Sequence, residues 1–258
     1  MTDLKQLKRL LTNILRRENH EYQGISGNEL SEQEAKKRAK EIFQLEKDTE
    51  LTITKTGKGA ELGMYSASYQ LDNKNGYLDL SVKGGHPLSL MINREVKEPQ
   101  ISLHEAMNKA SEYLKEHDFD NMELFQSSQY DNVGVFNFLY SQDDIKIYPD
   151  SIQVKVGLDN GEILGFSSRD YFRNHQDRDI PEPELTMEEA KEKVNPNVEV
   201  QDQHIAVIEN DLNEEVLAYV FLGVLENDTY RIFIDANTGV EAQVEKLKNA
   251  ESKFQQSM

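Results

Sequence analysis

Cysteine and tryptophan are absent from this sequence of 258 residues, and basic side chains are scarce. Without cysteine the chain can form no disulfide framework, no thiol nucleophile and no thiolate metal site. Its 29 Lys and Arg residues are outnumbered by 47 Asp and Glu residues, which gives a net charge of −18. Such a deficit disfavours a nucleic-acid-binding protein, because contacts with phosphates require a basic surface. Acidity of this kind is typical of a chain kept in solution by its charge.

Long apolar segments are also missing. No run of apolar residues reaches the length of a membrane-spanning helix, and no signal-peptide pattern opens the sequence. The sequence therefore predicts a soluble chain, or a fragment whose membrane anchor lies outside it. Its length suits two or three small domains better than a single one.

Motifs for catalysis and metal binding are absent as well. His104 and Glu105 begin like the helix of a zinc protease, but Asn108 occupies the position of the second histidine ligand. The six histidines lack metal-ligand spacing, and there is no nucleophile elbow, P-loop or dinucleotide fingerprint. Adjacent acids such as Glu188 and Glu189 suit a helix N-terminus better than a glycosidase site. The sequence predicts no enzymatic activity, no catalytic, cofactor-binding or metal-binding residues, and no cofactor.

What the sequence does contain is one helix template used three times. Ser31, Ser102 and Thr186 are each followed three residues later by glutamate, the spacing of a capping box at a helix N-terminus. The copies begin 71 and 84 residues apart, which indicates an internal repeat. Apolar residues then follow at the spacing of one helix face. They are Ala35, Ala39, Ile42 and Phe43 in the first copy, Ala106, Ala110, Tyr113 and Leu114 in the second, and Ala190 and Val194 in the third, which Asn195-Pro196 ends early.

Segments of alternating polar and apolar residues follow each of these helices and predict strands. Each set ends in two segments joined by a turn that contains glycine, at residues 83–86, 159–161 and 237–239. Glycine suits such turns because its backbone adopts positive φ without steric cost. The sequence therefore predicts an α+β fold of three tandem units, each consisting of one helix packed on an antiparallel sheet of about four strands.

Short linkers divide these units, at Lys97-Glu98-Pro99 and in the proline-containing segment 177–184. The first residues, with Leu4, Leu7 and Leu11 on one helix face, predict an amphipathic helix. Three placements of that helix stay open: docking on this protein, the end of an upstream helical domain, or an anionic membrane surface. The predicted organisation is an amphipathic N-terminal helix at 1–25, repeats at 28–98, 99–178 and 182–247, and a flexible tail at 248–258.

The repeated unit resembles the PepSY module. The module's strand–Asp-x-x-x-Gly–strand hairpin stands here at residues 234–240 and, with a shorter turn, at residues 158–162, whereas the first copy at 82–86 lacks the aspartate. Beyond the hairpin, the stretches 154–175, 185–200 and 229–251 closely resemble the carboxy-terminal region of the YpeB family of spore germination proteins, which is built of PepSY repeats. The resemblance extends over about residues 28–251 and is most specific from residue 145 onward.

This resemblance implies a non-catalytic role in sporulation and germination. PepSY modules are known from protease propeptides and from extracytoplasmic proteins thought to restrain or chaperone hydrolases. YpeB-like proteins accompany the cortex-lytic enzyme SleB in the dormant spore, and each is needed for the retention of the other. The implied function is to bind, stabilise and inhibit a SleB-like peptidoglycan hydrolase of the spore cortex, on the outer side of the inner membrane. The membrane anchor expected of the family is not in this sequence.

Two alternatives stay open. One is direct binding of spore peptidoglycan, for which Tyr140, Tyr148, Tyr171 and Phe172 are the candidate platform, although core packing is expected for at least half of them. The net charge of −18 opposes contact with an anionic wall polymer unless the contact surface is neutral. The other is a self-assembling structural module of the spore envelope, joined through uncovered sheet edges.

Overall fold

The computed structural model describes residues 22–57, 62–71 and 73–247. The predicted tail at 248–258 and the predicted helix at 1–25, apart from residues 22–25, lie outside the described residues. Four helices occur in the described part: α1 (Glu32–Phe43), α2 (Leu103–Glu116), α3 (Arg169–Asn174) and α4 (Met187–Lys191). Its twelve strands are β1 (Thr52–Lys55), β2 (Met64–Leu71), β3 (Lys74–Ser81), β4 (Pro87–Arg94), β5 (Met122–Tyr130), β6 (Val133–Gln142), β7 (Ile145–Gly157), β8 (Ile163–Ser167), β9 (Glu199–Glu209), β10 (Glu215–Leu225), β11 (Asp228–Asp235) and β12 (Glu241–Leu247).

All three capping boxes form as the sequence predicts. At α1 the Ser31 backbone N–H donates to the Glu34 carboxylate over 2.7 Å, and the Glu34 N–H donates to the Ser31 hydroxyl over 3.3 Å. The same two bonds form at the N-termini of α2 and α4. The Ser31 hydroxyl and backbone N–H lower the pKa of Glu34, because both donate to its charged form. The position at which each helix begins is therefore set by two residues three apart in the chain.

Helices α1 and α2 bury their predicted apolar stripes in the core of the first of two compact units. Among the described residues, unit 1 takes in those up to residue 140 and those at 150–176, and unit 2 takes in those at 141–149 and those from residue 177 onward. The alanines of both stripes are completely buried, which lets each helix approach the sheet closely. Each fully buried Leu or Phe of this core contributes about 2 kcal/mol.

The sheet of unit 1 follows the antiparallel order β1-β2-β3-β4-β8-β7, and β6 pairs with both β7 and β5. Successive side chains of a strand point to opposite faces. On the face that carries the helices, alternate residues such as Tyr65, Leu78 and Phe166 are buried. Both helices pack on this one face, since the buried residues of α1, α2 and the strands belong to one hydrophobic cluster.

Unit 2 is an antiparallel meander of β9, β10, β11 and β12. The first residues of β7 pair in parallel with β9, so that Lys146 lies beside Ala206 and Ile147 beside Val207. The helix α4 has five residues and buries Ala190 completely. The small core contains Ala206, Ile208, Ala218, Val220 and Phe233.

The predicted α+β class is confirmed, but the strands are not divided into three four-stranded sheets. β4 pairs with β8 and β7 pairs with β9, so hydrogen bonds join all twelve described strands in one sheet. The helix and strands of the first two predicted repeats share the core of unit 1. A separate four-stranded sheet leaves two edges of unpaired backbone groups, and pairing between repeats satisfies them. The residue boundaries of the repeats stay a prediction.

One contact recurs at the start of each capped helix. The apolar residue just before each capping residue packs against the glycine of the last hairpin turn in that set of strands. The backbone N–H of this apolar residue donates a hydrogen bond over 2.8 to 3.0 Å. The acceptor is the backbone carbonyl of the residue that directly follows the strand before the turn. Each glycine has a positive φ, between 65° and 79°, which residues with a Cβ rarely adopt. The three pairs are Leu30 with Gly85, Ile101 with Gly161 and Leu185 with Gly239.

Two features of the fold are missing from the sequence prediction. The helix α3 is unpredicted, and β7 begins at Ile145 although the alternating pattern predicts a strand from Ser151. The Ser168 hydroxyl just before α3 donates to the Pro87 carbonyl over 2.7 Å, and Tyr171 and Phe172 enter the core of unit 1. Distant residues therefore stabilise this short helix, and no local signal indicates it.

Two buried tyrosines, Tyr219 and Tyr69, differ in the hydrogen bonding of their hydroxyl groups. The Tyr219 hydroxyl donates to the Leu185 carbonyl over 2.7 Å, whereas no described residue makes a hydrogen bond with the buried Tyr69 hydroxyl. Burial raises the pKa of Tyr69 to about 12. We expect Tyr219→Phe to lower the free energy of unfolding by about 1 kcal/mol, and Tyr69→Phe to leave it unchanged or raise it by about 1 kcal/mol. Urea denaturation measures both, and equal losses would contradict this assignment.

Candidate binding surfaces

The four aromatic residues predicted as a sugar platform do not form an exposed one. Tyr171 is 8% and Phe172 is 4% exposed, and both pack in the core of unit 1. Tyr140 is partly buried and meets the Tyr171 ring edge-on, with ring centres 6.4 Å apart. Tyr148 is partly buried in unit 2. The expectation that at least half of the four pack in a core is therefore confirmed.

A histidine–aspartate pair lies beside the aromatic cluster of unit 1. His175 Nδ1 lies 2.8 Å from a carboxylate oxygen of Asp150, whose side chain is completely buried. The His175 ring stacks on Tyr171 with centres 4.3 Å apart, and Tyr140 meets it edge-on at 4.6 Å. The pair ties the end of α3 to β7. Sequence reasoning missed it, because the two residues are 25 positions apart and match no motif.

In unit 2, Tyr148 and His204 form a second aromatic pair. Their rings are stacked with centres 6.3 Å apart, and the Tyr148 hydroxyl lies 3.2 Å from His204 Nε2. Burial lowers the pKa of His204 to about 4, so the imidazole is neutral near pH 7. A neutral ring nitrogen and a tyrosine hydroxyl are complementary hydrogen-bonding groups. Tyr148 also lines a surface pocket together with Pro149, Ile208, Glu209 and Gln243.

His104 and Glu105 lie in the first turn of α2, where Glu105 completes the capping box. Glu105 therefore has a structural role at the start of this helix. Within residues 22–57, 62–71 and 73–247, no group of three His, Asp or Glu side chains is arranged to hold a metal. No helix in the same part of the chain is long and apolar enough to cross a membrane.

An ion-pair network holds the β7–β8 hairpin against the end of β4 in unit 1. Arg94 donates two hydrogen bonds to Asp159, over 2.7 and 2.9 Å, and another to Glu162 over 2.5 Å. Lys74 also pairs with Glu162, and the Lys97 N–H donates to Asp159 over 3.1 Å. The Arg94 and Asp159 side chains are 12% and 10% exposed. Hydrogen bonds from the Arg94 guanidinium lower the pKa of Asp159 to about 2.

Asp159 and Asp235, which the sequence places in equivalent hairpin turns, have different roles. Asp235 accepts two backbone N–H bonds within its own turn, over 2.9 and 2.7 Å. Asp235 lies four residues before Gly239, whereas the residue four positions before Gly161 is Gly157. The recurring glycine contact therefore aligns Gly157, and not Asp159, with Asp235. Asp159 serves the ion-pair network instead.

The face of the unit 1 sheet opposite α1 and α2 is polar and almost uncharged. Strand register places three cross-strand rows on it, which together we call the polar face. The first row is Thr54, Ser66, Asp79, Ser89, Ser167 and Gln153. The second row is Thr52, Ser68, Tyr77, Met91, Gly165 and Lys155. The third row is Gln70, Asn75 and Asn93.

This composition is unusual for the chain. Ten of the fifteen positions are Ser, Thr, Asn or Gln, and only two, Asp79 and Lys155, are charged. In the whole chain 29% of residues are charged, and charged residues concentrate on protein surfaces. The polar face therefore differs from the acidic remainder of the surface.

Two large side chains project from the middle of the polar face. Tyr77 is 50% exposed and Met91 is 49% exposed, and they lie directly opposite each other on β3 and β4. In the same row, the aliphatic stem of Lys155 lies over Gly165, where an added Cβ would come within 3.1 Å of the lysine Cδ. The centre of the face thus consists of an aromatic ring beside two unbranched apolar groups, the Met91 side chain and the aliphatic stem of Lys155.

Both carboxylate oxygens of Asp79, the single acid of the polar face, accept hydrogen bonds. Asp79 accepts hydrogen bonds from the Ser66 hydroxyl over 2.7 Å, the Ser89 hydroxyl over 2.9 Å and the Arg169 guanidinium over 2.6 Å. The arginine compensates the negative charge of the carboxylate. In the third row, the Asn93 amide donates to the Asn75 amide oxygen over 3.1 Å. The face consequently offers mainly neutral donors and acceptors.

Three strands, β1, β5 and β12, each lack a second partner strand within the part of the chain that the structure describes. A strand edge of this kind presents N–H and C=O groups that can pair with another chain. On β12, Val244 is 45% exposed, and Val240 just before the strand is 63% exposed. The edge of unit 2 therefore combines backbone pairing capacity with apolar side chains.

Family models match almost the whole chain. Residues 12–181 match the model described as YpeB sporulation, PepSY1 and PepSY2 domains. Residues 184–241 match the model described as Peptidase propeptide and YPEB domain. The two matches meet between β8 and α4, so the first covers the two helix-and-strand sets that share unit 1.

Curated relatives and a solved structure that are similar to this chain carry the same family name. Sporulation protein YpeB of Oceanobacillus iheyensis is 46% identical over 237 residues, which cover 92% of this chain and 53% of that protein. Sporulation protein YpeB of Bacillus subtilis is 42% identical over 240 residues, with coverages of 92% and 53%. The Bacillus megaterium YpeB C-terminal domain has 46% identity and a TM-score of 0.80, covering 86% of this chain and 100% of that one. The chain spans about half the length of the curated relatives it matches.

Proposed function

Since this chain belongs to the YpeB family of sporulation proteins, we propose that it binds and inhibits a SleB-like cortex-lytic peptidoglycan hydrolase in the dormant spore. Such a partner is a protein, and binding it needs no catalytic residue in this chain. The carboxy-terminal family model is named for peptidase propeptides as well as for YpeB. A propeptide controls an enzyme by binding to it, which supports a restraining role. The proposed place of action is the cortex region outside the inner membrane.

The concentration of negative charge in the last repeat carries this proposal. In the last repeat, at residues 182–247, there are 16 acidic and 4 basic residues. A hydrolase that binds an anionic wall polymer needs a basic surface, and an acidic protein surface is complementary to it. Occupation of that surface would exclude the polymer, so binding and inhibition follow from one contact. The exposed acids in the described part of this repeat are Glu182, Glu184, Glu188, Glu189, Glu192, Glu199, Asp202, Glu209, Asp211, Glu226 and Glu241.

The edge of β12 supplies a second element of the proposed interface. A partner strand added to this edge would gain main-chain hydrogen bonds, while Val240 and Val244 would contact alternate side chains of the partner. Charge complementarity mainly accelerates association, and the strand edge would slow dissociation. The two features lie in the same unit, which makes a single binding region sufficient.

A calorimetric titration of the chain against a purified cortex-lytic hydrolase tests the proposal, with cortex hydrolysis followed in parallel. We expect binding with a dissociation constant of about 1 μM or lower and a matching loss of hydrolysis. Binding that leaves hydrolysis unchanged would replace inhibition by stabilisation of the enzyme. No binding at any salt concentration would refute the proposal for this chain.

Neutralising three acids of unit 2 should weaken the complex. We expect Glu192→Gln, Glu199→Gln and Glu241→Gln together to raise the dissociation constant about tenfold at low salt, because each rim charge contributes about 0.5 kcal/mol. The measurement is the same titration at two ionic strengths. Its control is the triple variant Glu46→Gln, Asp48→Asn and Glu50→Gln, which removes the same charge from exposed positions of unit 1. An equal weakening by both variants would mean that net charge, and not unit 2, determines binding.

A further inference from the structure

We propose that the polar face of unit 1 is a binding site for a neutral glycan chain, with Tyr77 as the platform for a sugar ring. The pyranose ring has one face of C–H groups and a periphery of hydroxyl and amide groups. It therefore needs an exposed aromatic ring surrounded by neutral hydrogen-bonding side chains. Tyr77 is half exposed at the centre of the polar face, with Ser68 and Met91 directly opposite on the two neighbouring strands.

The geometry of the sheet suits an extended polymer. Neighbouring strands lie about 4.8 Å apart, so each row of the polar face presents regularly spaced side chains across the sheet. The row of Tyr77 continues through Met91 and Gly165 to Lys155, whose aliphatic stem lies over the glycine and extends the row of apolar groups beside the tyrosine ring. The first row, in which hydroxyl side chains predominate, borders the row of Tyr77 along its whole length, and the three side-chain amides of the third row border it on β2, β3 and β4. A glycan laid across the strands would stack on Tyr77 and exchange hydrogen bonds with both bordering rows.

The charge of the polar face favours this occupant over others. Nucleic acid would require a cluster of cations, whereas Lys155 is the only base among the fifteen positions. The core of a protein interface is enriched in aromatic residues, Met and Arg, and Tyr77 and Met91 are the only large apolar side chains here. A lipid surface would require a wider apolar area. A neutral, hydroxyl-rich polymer is the partner whose chemistry matches Ser, Thr, Asn and Gln.

This site is distinct from the proposed hydrolase contact in unit 2. The polar face is on unit 1, and its residues include none of the acids invoked for enzyme binding. It also differs from the predicted platform of Tyr140, Tyr148, Tyr171 and Phe172. A neutral glycan is also not repelled by the net charge of −18.

Titration of the whole chain with chitohexaose, a neutral oligomer of N-acetylglucosamine, tests the site. Saturation-transfer NMR detects binding and identifies the protons in contact, and a titration gives the dissociation constant. We expect binding at millimolar or lower concentration, and we expect Tyr77→Ala to raise the dissociation constant about tenfold. Tyr77→Phe keeps the ring and should retain most of the affinity.

The matched control is Tyr130→Ala, since Tyr130 is 68% exposed in the same unit but lies on β5, away from the polar face. Its dissociation constant should equal that of the unsubstituted chain, and thermal melting checks that both alanine variants are folded. Cellohexaose, which lacks acetamido groups, separates recognition of those groups from ring stacking, and binding of either oligomer through Tyr77 supports the proposal. Absence of binding by both oligomers, or equal losses for the Tyr77 and Tyr130 variants, would overturn it.

Discussion

Replacing Arg94 with alanine is expected to lower the free energy of unfolding by about 3 kcal/mol, because the substitution leaves a largely buried carboxylate without its cation. Arg94 makes two hydrogen bonds to Asp159 and one to Glu162, and both members of the Arg94–Asp159 pair are nine-tenths buried or close to it. The network joins the end of β4, in the first predicted repeat, to the β7–β8 hairpin, in the second. Its loss therefore removes a link between the two repeats that form unit 1. Urea denaturation followed by circular dichroism measures the change.

The control is Lys37→Ala on α1. Lys37 and Glu41 form an ion pair of 3.9 Å whose side chains are 80% and 52% exposed. Exposed helix pairs contribute about 0.5 kcal/mol or less. A loss for Arg94→Ala as small as that for Lys37→Ala would show that the hairpin network adds no more than a surface pair.

The pH dependence of the Arg94→Ala effect follows from the lowered pKa of Asp159. That pKa is about 2 in the folded chain, whereas an unfolded aspartate titrates near 3.8. The contribution of the Arg94–Asp159 pair to the free energy of unfolding is therefore complete above the pKa of the unfolded aspartate. It declines as the pH falls through the pKa of the folded chain. We expect the difference in unfolding free energy between the original chain and the variant to shrink between about pH 4 and pH 2. A difference that stays constant over this range would contradict the assigned interaction.

Replacing Gly85 with alanine is expected to lower the free energy of unfolding by about 2 kcal/mol. Gly85 has a φ of 65°, and an added Cβ would lie 2.6 Å from Leu30 Cδ2. The substitution therefore strains the backbone and also displaces the residue that leads into the α1 capping box. Because the contact recurs at Gly161 and Gly239, the same substitution there tests whether the three turns are equivalent.

Gly57→Ala is the matched control. Gly57 is exposed, and an added Cβ would meet no atom of a described residue within 4 Å. Alanine there should leave the stability unchanged or raise it by up to about 1 kcal/mol, since it restricts the unfolded chain. Thermal unfolding of both variants under one set of conditions makes the comparison. If Gly85→Ala is as well tolerated as Gly57→Ala, the turn does not depend on positive φ.

The two proposed contacts have complementary consequences. An acidic unit 2 that holds a hydrolase and a neutral face of unit 1 that holds a glycan would keep enzyme and wall polymer on one protein. The glycan titration and the hydrolase titration use different residues and different probes. Failure of one therefore leaves the other intact.

Helix starts, hairpin turns and the alternation of strands were predictable because they depend on residues close together in the chain. A capping box needs two residues three apart, and a tight turn needs glycine at one position. Ser31 with Glu34 and the turn at Gly239 illustrate this, and both are found where the sequence predicts them. Membership of the family was predictable for the same reason, since its motifs are contiguous.

The joining of the strands, the roles of the aromatic residues and the polar face were decided by tertiary structure. Asp159 resembles a turn residue in the sequence, but it pairs with Arg94, which is 65 positions away. The side chains of the polar face come from six strands, and only the register of those strands places Tyr77 among neutral neighbours. Alternation indicates that a strand has two faces, but which strands become neighbours depends on hydrogen bonds between distant segments. By itself the sequence therefore determined the capped helices, the hairpin turns and the family, while contacts between distant segments determined α3, the start of β7, the sheet and the surfaces it presents.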